Sequence, residues 1–170
     1  MRNCNVVRIS EMIILDLDNC IADDGWRISK IDWNFDDPNM RYHRYHSLAP
    51  FDTAANHDLI ERARQEGYVI STARPIFYRH STEEWLKRLI CVKPMGVFMR
   101  GIGDHRKSVE LKKDHLVIAR EIQHLAPSKG VGAAFDDRPD VVSMYIEQGI
   151  PAFVRKIHDL CAYTRPQEKT

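Results

Sequence analysis

Apolar and polar residues fall in blocks along this chain. Met12-Ile13-Ile14-Leu15 is an unbroken apolar run that ends on Asp16 and Asp18. A short run of this kind, bounded by polar residues, predicts a strand buried on both faces. Tyr68-Val69-Ile70-Ser71-Thr72 predicts a second strand and Val97-Phe98-Met99 a third. Val131-Gly132-Ala133-Ala134-Phe135 predicts a fourth, and Ile150 to Val154 a last. Between them the spacing lengthens to that of helices. Leu59, Ile60 and Ala63 share one face, with Gly67 as the expected stop. Ser81-Thr82-Glu83-Glu84 has the form of a capping box, and Trp85, Leu86, Leu89 and Ile90 follow it. A longer helix is expected from about Lys107 to Leu125, with a stripe of Leu111, Ile118, Ile122 and Leu125, ended by Pro127. Pro139 suits the first turn of another helix and Gly149 its end.

Strands alternating with helices predict an α/β fold, a Rossmann-like parallel sheet with helices on both faces. Residues 20–53 interrupt the alternation. They are polar, aromatic and turn-rich, with Asp36-Asp37-Pro38-Asn39 as a clear break. Residues 1–170 therefore read as one domain, with 20–53 as a small cap inserted after the first strand. The tail from Thr164 to Thr170 is polar and expected to fray.

Composition narrows the function classes. The 25 basic and 24 acidic residues leave a net charge of +1, so any nucleic-acid footprint must be local. No apolar run approaches the ~20 residues of a membrane span. Met1 to Glu11 lacks the apolar stretch of a signal peptide, so a cytoplasmic protein without a membrane partner is expected. Cys4, Cys20, Cys91 and Cys161 match no zinc spacing and are expected to be free thiols. Cys20 has no sequence signal of an activating base and is not read as a nucleophile.

The chemistry gathers at strand ends. In a parallel sheet the carboxyl ends lie along one edge, where ligands bind. Asp16 and Asp18 close the first strand, Thr72-Ala73-Arg74 the second, and Asp136 and Asp137 the fourth. Lys112, flanked by Lys107 and Lys113, lies on the helix after the third. Carboxylates so close repel, and keeping them ionised needs a cation or a shared proton. Singly, Asp136 and Asp137 read as a helix cap and Lys112 as a solvated residue. Acid pairs, a hydroxyl and an ammonium converging on one edge instead suit phosphoryl transfer, which works by positioning and charge stabilisation.

With these residues the chain resembles the haloacid dehalogenase (HAD) superfamily of phosphohydrolases, from the first strand to Val154. Within it, the likeness is to the 3'-phosphatase domain of bacteriophage-type polynucleotide kinase. The likeness rests on Arg27 eleven residues after Asp16, on Gly67-Tyr68, and on Thr72-Ala73-Arg74. It rests further on Asp104-His105-Arg106-Lys107 followed by Lys112, and on Phe135-Asp136-Asp137-Arg138 through Val142 and Met144 to Gly149-Ile150. The resemblance implies Asp16 as the nucleophile and Asp18 as the general acid–base. It implies Thr72 as a phosphoryl hydrogen-bond donor and Lys112 as the neutralising cation. Mg²⁺ would be held by Asp16, by the backbone carbonyl of Asp18, and by Asp136 and Asp137. Arg27 and Arg74 would contact the substrate phosphate.

Relatives often read Asp-x-Asp-Gly-Thr where this chain has Asp16-Leu17-Asp18-Asn19-Cys20. Asn tolerates the left-handed conformation, so the turn survives. Cys20 lacks a threonine hydroxyl, and Ser108 stands where the phage phosphatase carries an acid. Gly101 to Ser108 superficially resembles a phosphate-binding loop but lacks the glycine directly before Lys107-Ser108, which argues against a kinase.

Arg41-Tyr42-His43-Arg44-Tyr45-His46 interleaves cations with aromatics, as suits bases and phosphates. Arg44 and Tyr45 are its candidate substrate contacts, and the plainer reading is a surface loop with packed tyrosines. His43 and His46 alone are too few for a zinc site. The expected function is Mg²⁺-dependent hydrolysis of a nucleotide or nucleic-acid phosphomonoester, led by a polynucleotide 3'-phosphate. Rival readings are a nucleotidase acting on nucleoside monophosphates, a broad small-metabolite phosphatase and a catalytically silent nucleic-acid-binding module.

Overall fold

A computed structural model of the chain describes residues 11–125 and 130–159. The apolar run becomes strand β1 (Glu11–Leu15) at the centre of a five-stranded sheet. Its side chains alternate between faces, as pleating requires. Ile13 and Leu15 enter one core, with Leu59, Ile60, Trp85 and Leu86. Met12 and Ile14 enter the other, with Leu116, Ala119, Val141 and Tyr145.

The excursion that follows contains β2 (Ala22–Asp23), two short helices, α1 (Pro38–Arg41) and α2 (His43–Ser47), and β3 (Thr53–Ala54). β2 and β3 pair antiparallel and form the base from which this excursion leaves and returns. The chain then continues through α3 (His57–Gln65), β4 (Gly67–Pro75), α4 (Arg79–Ile90) and β5 (Gly96–Arg100). It finishes with α5 (Ser108–Leu125), β6 (Gly130–Asp136), α6 (Pro139–Glu147) and β7 (Ala152–Val154). The main sheet has the order β5-β4-β1-β6-β7, and all its pairings are parallel. This is the Rossmann-like α/β arrangement expected, with α3 and α4 on one face and α5 and α6 on the other. Leu15 is in register with Ile70 on one side and Phe135 on the other. The residues that follow, Asp16, Ser71-Thr72 and Asp136, therefore come side by side at the carboxyl edge.

Several local expectations are corrected. Gly67 does not stop α3 in a left-handed turn; it opens β4, and Glu66 ends the helix in extended conformation. α4 starts before the Ser81 capping box, because a 3-10 turn over Ile76–Tyr78 runs directly into it. The Ser81 hydroxyl donates to the carbonyl of Tyr78 instead. On α5 the inward positions are Leu111, Lys112, His115, Leu116 and Ala119, while Ile118 is 44% exposed. Two inward positions are polar, so a stripe drawn through apolar residues alone takes the wrong phase. β7 starts at Ala152, and Ile150 sits in the preceding turn, its N–H donating to Tyr145. Cys20 is buried and Cys91 exposed, both free thiols. Cys4, Cys161, Pro127 and the tail from Thr164 lie outside the described residues, as does the side chain of Leu125. Among the described residues no helix is long and apolar enough to cross a membrane.

The two faces of α5 and the centre of β1 give a direct check. Ile13→Ala, at a fully buried position, should destabilise the chain by about 2–5 kcal/mol in urea unfolding. Ile118→Ala should cost less, about 1 kcal/mol, since Ile118 is 44% exposed.

Candidate active site

The register of the sheet brings three carboxylates and one ammonium together. Lys112 reaches from α5 under the sheet edge, with Nζ 2.8 Å from Asp16 Oδ1 and 2.6 Å from Asp136 Oδ2. It is buried, whereas its neighbours Lys107 and Lys113 are exposed. Carboxylate oxygens of Asp16, Asp136 and Asp137 all lie within 4.8 Å of one another. Burial pushes the Asp16 carboxyl well above the ordinary range; Lys112 opposes this, and Asp136 and Asp137 reinforce it. Asp137 is pushed up to about 6, by burial first and then by Asp136. Burial works against the Lys112 charge, but Asp136 and Asp16 outweigh it and hold the ammonium protonated. Three acids facing one ammonium leave excess negative charge in a poorly solvated place. Hard oxygen donors so arranged suit a small divalent cation such as Mg²⁺.

Asp18 is oriented differently. Its carboxylate accepts from Arg74 Nε at 3.0 and 3.1 Å and from Arg74 Nη2 at 2.6 Å. Arg27 Nη2 donates to it as well. Burial alone would raise its pKa, but Arg74 and Arg27 together hold the carboxyl well below the usual carboxylate range. The same arginines meet Asp52: Arg27 donates at 2.8 and 2.7 Å and Arg74 at 3.4 Å. Arg27 and Arg74 are therefore enclosed and support Asp18, and neither is among the residues lining the open cavity. Arg74 meets these carboxylates through Nε and Nη2 only, and its Nη1 has no hydrogen-bond partner among the described residues.

The other expected contacts divide. Thr72 lines the cavity at the end of β4, although little of it is exposed. Tyr45 is only 2% exposed, its ring 4.0 Å beneath the Arg27 guanidinium and its hydroxyl donating to Asp24. Arg44 is exposed and is not among the residues lining the cavity. The cavity occupies about 790 Å³ over the sheet edge. Asp16, Asp18, Thr72, Lys112 and Asp137 line it, as do Tyr42, His46, Arg100 and Arg138.

Two supporting residues were not found from sequence. Asp52 sits just before β3, where Pro50-Phe51-Asp52 carries no recognisable pattern. In sequence Asn19 reads only as a turn former, and it does adopt φ 57°. Its side chain also donates to Asp137 Oδ2 at 3.2 Å and accepts the backbone N–H of Ile157 and His158 at 3.1 and 2.8 Å. It thus joins the β1 loop, the β6 loop and the segment after β7.

A model of the polynucleotide kinase PNKP phosphatase domain matches residues 10–157. The chain belongs to that family. It is a HAD-superfamily phosphatase, close to the PNKP 3'-phosphatase domain. A solved structure entitled "Structure of the Pnkp1/Rnl/Hen1 RNA repair complex" matches at 26% identity with a TM-score of 0.61. That match covers 89% of this chain and 44% of the other, so this chain spans under half the length of that relative. CbbY from Rhodobacter sphaeroides, solved with phosphate, matches at 15% identity, covering 93% of this chain and 89% of the other, with a TM-score of 0.56. A putative phosphatase from Clostridium difficile matches at 13% identity over 85% and 84% of the chains, with a TM-score of 0.57. The last two share the fold. No curated protein matches.

Two measurements probe the supports. Asp52→Asn leaves two enclosed arginines facing Asp18 alone and should destabilise the chain by about 3–5 kcal/mol in denaturant unfolding. His115 is buried beside Ser71 Oγ at 3.0 Å, and burial, with Lys112 nearby, pushes its pKa down to about 4. As pH falls below about 6.5, the unfolded chain gains a proton here that the folded chain refuses until about pH 4. Stability from this group is therefore full at neutral pH and lost on acidification through that window. His115→Gln should cost less stability near pH 5 than near pH 7, measured by urea unfolding at both.

Proposed function

We propose that this phosphatase hydrolyses a phosphomonoester at a polynucleotide 3' end, with Mg²⁺, through a phosphate carried on Asp16. The observation that carries the chemistry is the Lys112 ammonium lying between Asp16 and Asp136 at the open sheet edge. Family membership and the RNA repair setting of one solved relative favour a nucleic-acid end as the substrate.

An Asp16 oxygen attacks phosphorus, the ester P–O bond breaks, and the leaving alkoxide takes a proton from Asp18. Water then attacks the aspartyl phosphate; Asp18 accepts its proton, the phosphorus–Asp16 bond breaks and inorganic phosphate departs. The ionised Asp18 held by Arg74 and Arg27 is ready for the second step. Arrival of the negatively charged phosphate beside it favours its protonation for the first. Lys112 offsets the repulsion between Asp16 and the phosphate. Thr72 offers a hydroxyl to a phosphoryl oxygen. Asp16, Asp136 and Asp137, with the Asp18 carbonyl, would hold Mg²⁺, which when bound supplies further charge neutralisation at phosphorus. Residues 20–53 act as a small cap that walls one side of the cavity. That partial wall also favours a second reading, a nucleotidase for free nucleoside monophosphates.

Phosphate release should be compared on 3'-phosphorylated oligonucleotides, 5'-phosphorylated oligonucleotides and nucleoside monophosphates. The 3'-phosphorylated oligonucleotide should be the preferred substrate, and preference for the monophosphates would transfer the assignment to a nucleotidase. Asp16→Asn should lower kcat by at least about a thousandfold. EDTA should abolish turnover and excess Mg²⁺ restore it. Full activity of Asp16→Asn would remove Asp16 as the nucleophile.

A further inference from the structure

We propose that Tyr42 and His46 form a subsite for the nucleoside of the leaving group, beside Asp18. The proposal rests on the reading of this chain as a phosphatase of nucleotide or polynucleotide phosphates, and adds which side chains meet the nucleoside.

The segment from Arg41 to His46 alternates cations and rings, and its fold sorts them. Arg44 is exposed outside the cavity, and His43 is exposed and hydrogen-bonded to Tyr78 at 2.8 Å. Tyr45 is enclosed. Tyr42 and His46 remain, and both line the cavity that contains Asp16 and Asp18. Tyr42 caps α2 and His46 lies one turn on, its N–H donating to the Tyr42 carbonyl at 2.9 Å, so the two rings share a face with centroids 6.1 Å apart.

Other rings hold this wall in place. Trp33 meets Tyr42 edge-on at 6.3 Å, and Tyr78 lies 5.7 Å from His46. Tyr45 packs edge-on against both, at 6.1 and 4.9 Å. Tyr45 also supports the guanidinium of Arg27, which donates to Asp18 and to the Tyr45 carbonyl. The wall is thus tied by one arginine to the carboxylate that serves the leaving oxygen. Burial, with Arg74, Arg27 and Arg100 near, drives the His46 pKa down to about 3, so at neutral pH the imidazole is uncharged.

An uncharged aromatic wall next to the leaving-group position suits the face of a nucleobase. Stacking of this kind tolerates any base, as an enzyme acting on chain ends of varied sequence requires. The cavity, about 790 Å³, is much larger than a phosphate alone fills. Small aliphatic phosphomonoesters would gain nothing from Tyr42 or His46.

The test is equilibrium binding to the full chain carrying Asp16→Asn, with Mg²⁺, using adenosine 3'-monophosphate and glycerol phosphate as probes. The nucleotide should bind about tenfold tighter or better, by the strength of one base stack. Adding Tyr42→Leu should erase that gap, and Tyr42→Phe should keep it. Equal affinity for the two probes, or a gap unmoved by Tyr42→Leu, overturns the subsite. A second measurement needs no substitution in the wall. Adenosine should competitively inhibit hydrolysis of glycerol phosphate by the unaltered chain, and ribose at the same concentration should not. Absence of adenosine inhibition also overturns the proposal. Failure of the polynucleotide reading would look different: no phosphate release from 3'-phosphorylated oligonucleotides, with the binding gap intact.

Discussion

The site is organised around a buried ammonium. Lys112 reaches both Asp16, directly after β1, and Asp136, at the end of the adjacent β6, whose carboxylates would otherwise repel at close range. Removing two or more charges from water is costly, and the cost is offset only by opposite charge in good geometry. The register that sets Leu15 beside Phe135 makes that geometry possible. The position of Lys112 on the inward face of α5, one turn from His115, brings the charge to the right depth. Asp137 remains outside the ion pair, and the surplus of negative charge there is what fits the trio to a divalent cation.

A second, separate electrostatic unit governs Asp18. Arg27 comes from the excursion after β1, Arg74 from β4 and Asp52 from the return of the excursion. Each charge in this quartet has an opposite partner within hydrogen-bond reach, which makes such burial tolerable. The consequence is mechanical as well as electrostatic. The inserted segment cannot move relative to the sheet without disturbing Asp18. Tyr45 extends the coupling to the aromatic wall, so Asp18 and the side of the cavity nearest it are positioned by the same arginine.

Much of this was legible before any coordinates. The strand-helix alternation rests on local periodicity, and a four-residue apolar run such as Met12–Leu15 has few other uses. Parallel pairing then follows from connection length, and it puts strand ends on one edge. Asp16, Thr72 and Asp136 needed nothing more. Lys112 needed the family resemblance, because its neighbours Lys107 and Lys113 look the same in sequence. The α5 stripe was misplaced for the same reason that Lys112 is informative: inward polar residues break an apolar count.

Local pattern therefore determined the order of elements, the edge where chemistry gathers and the acids that stand on it. Tertiary structure decided what each charge faces. Arg27 and Arg74 carry the same chemical group whether they grip a substrate or support Asp18, and only the position of Asp52 separates the two roles. Within one six-residue segment, Tyr42, Tyr45 and His46 border the cavity while Arg44 does not, and Tyr45 is almost wholly enclosed. Such facing depends on contacts between residues distant in the chain, and long-range packing leaves no periodic mark on the residues it selects.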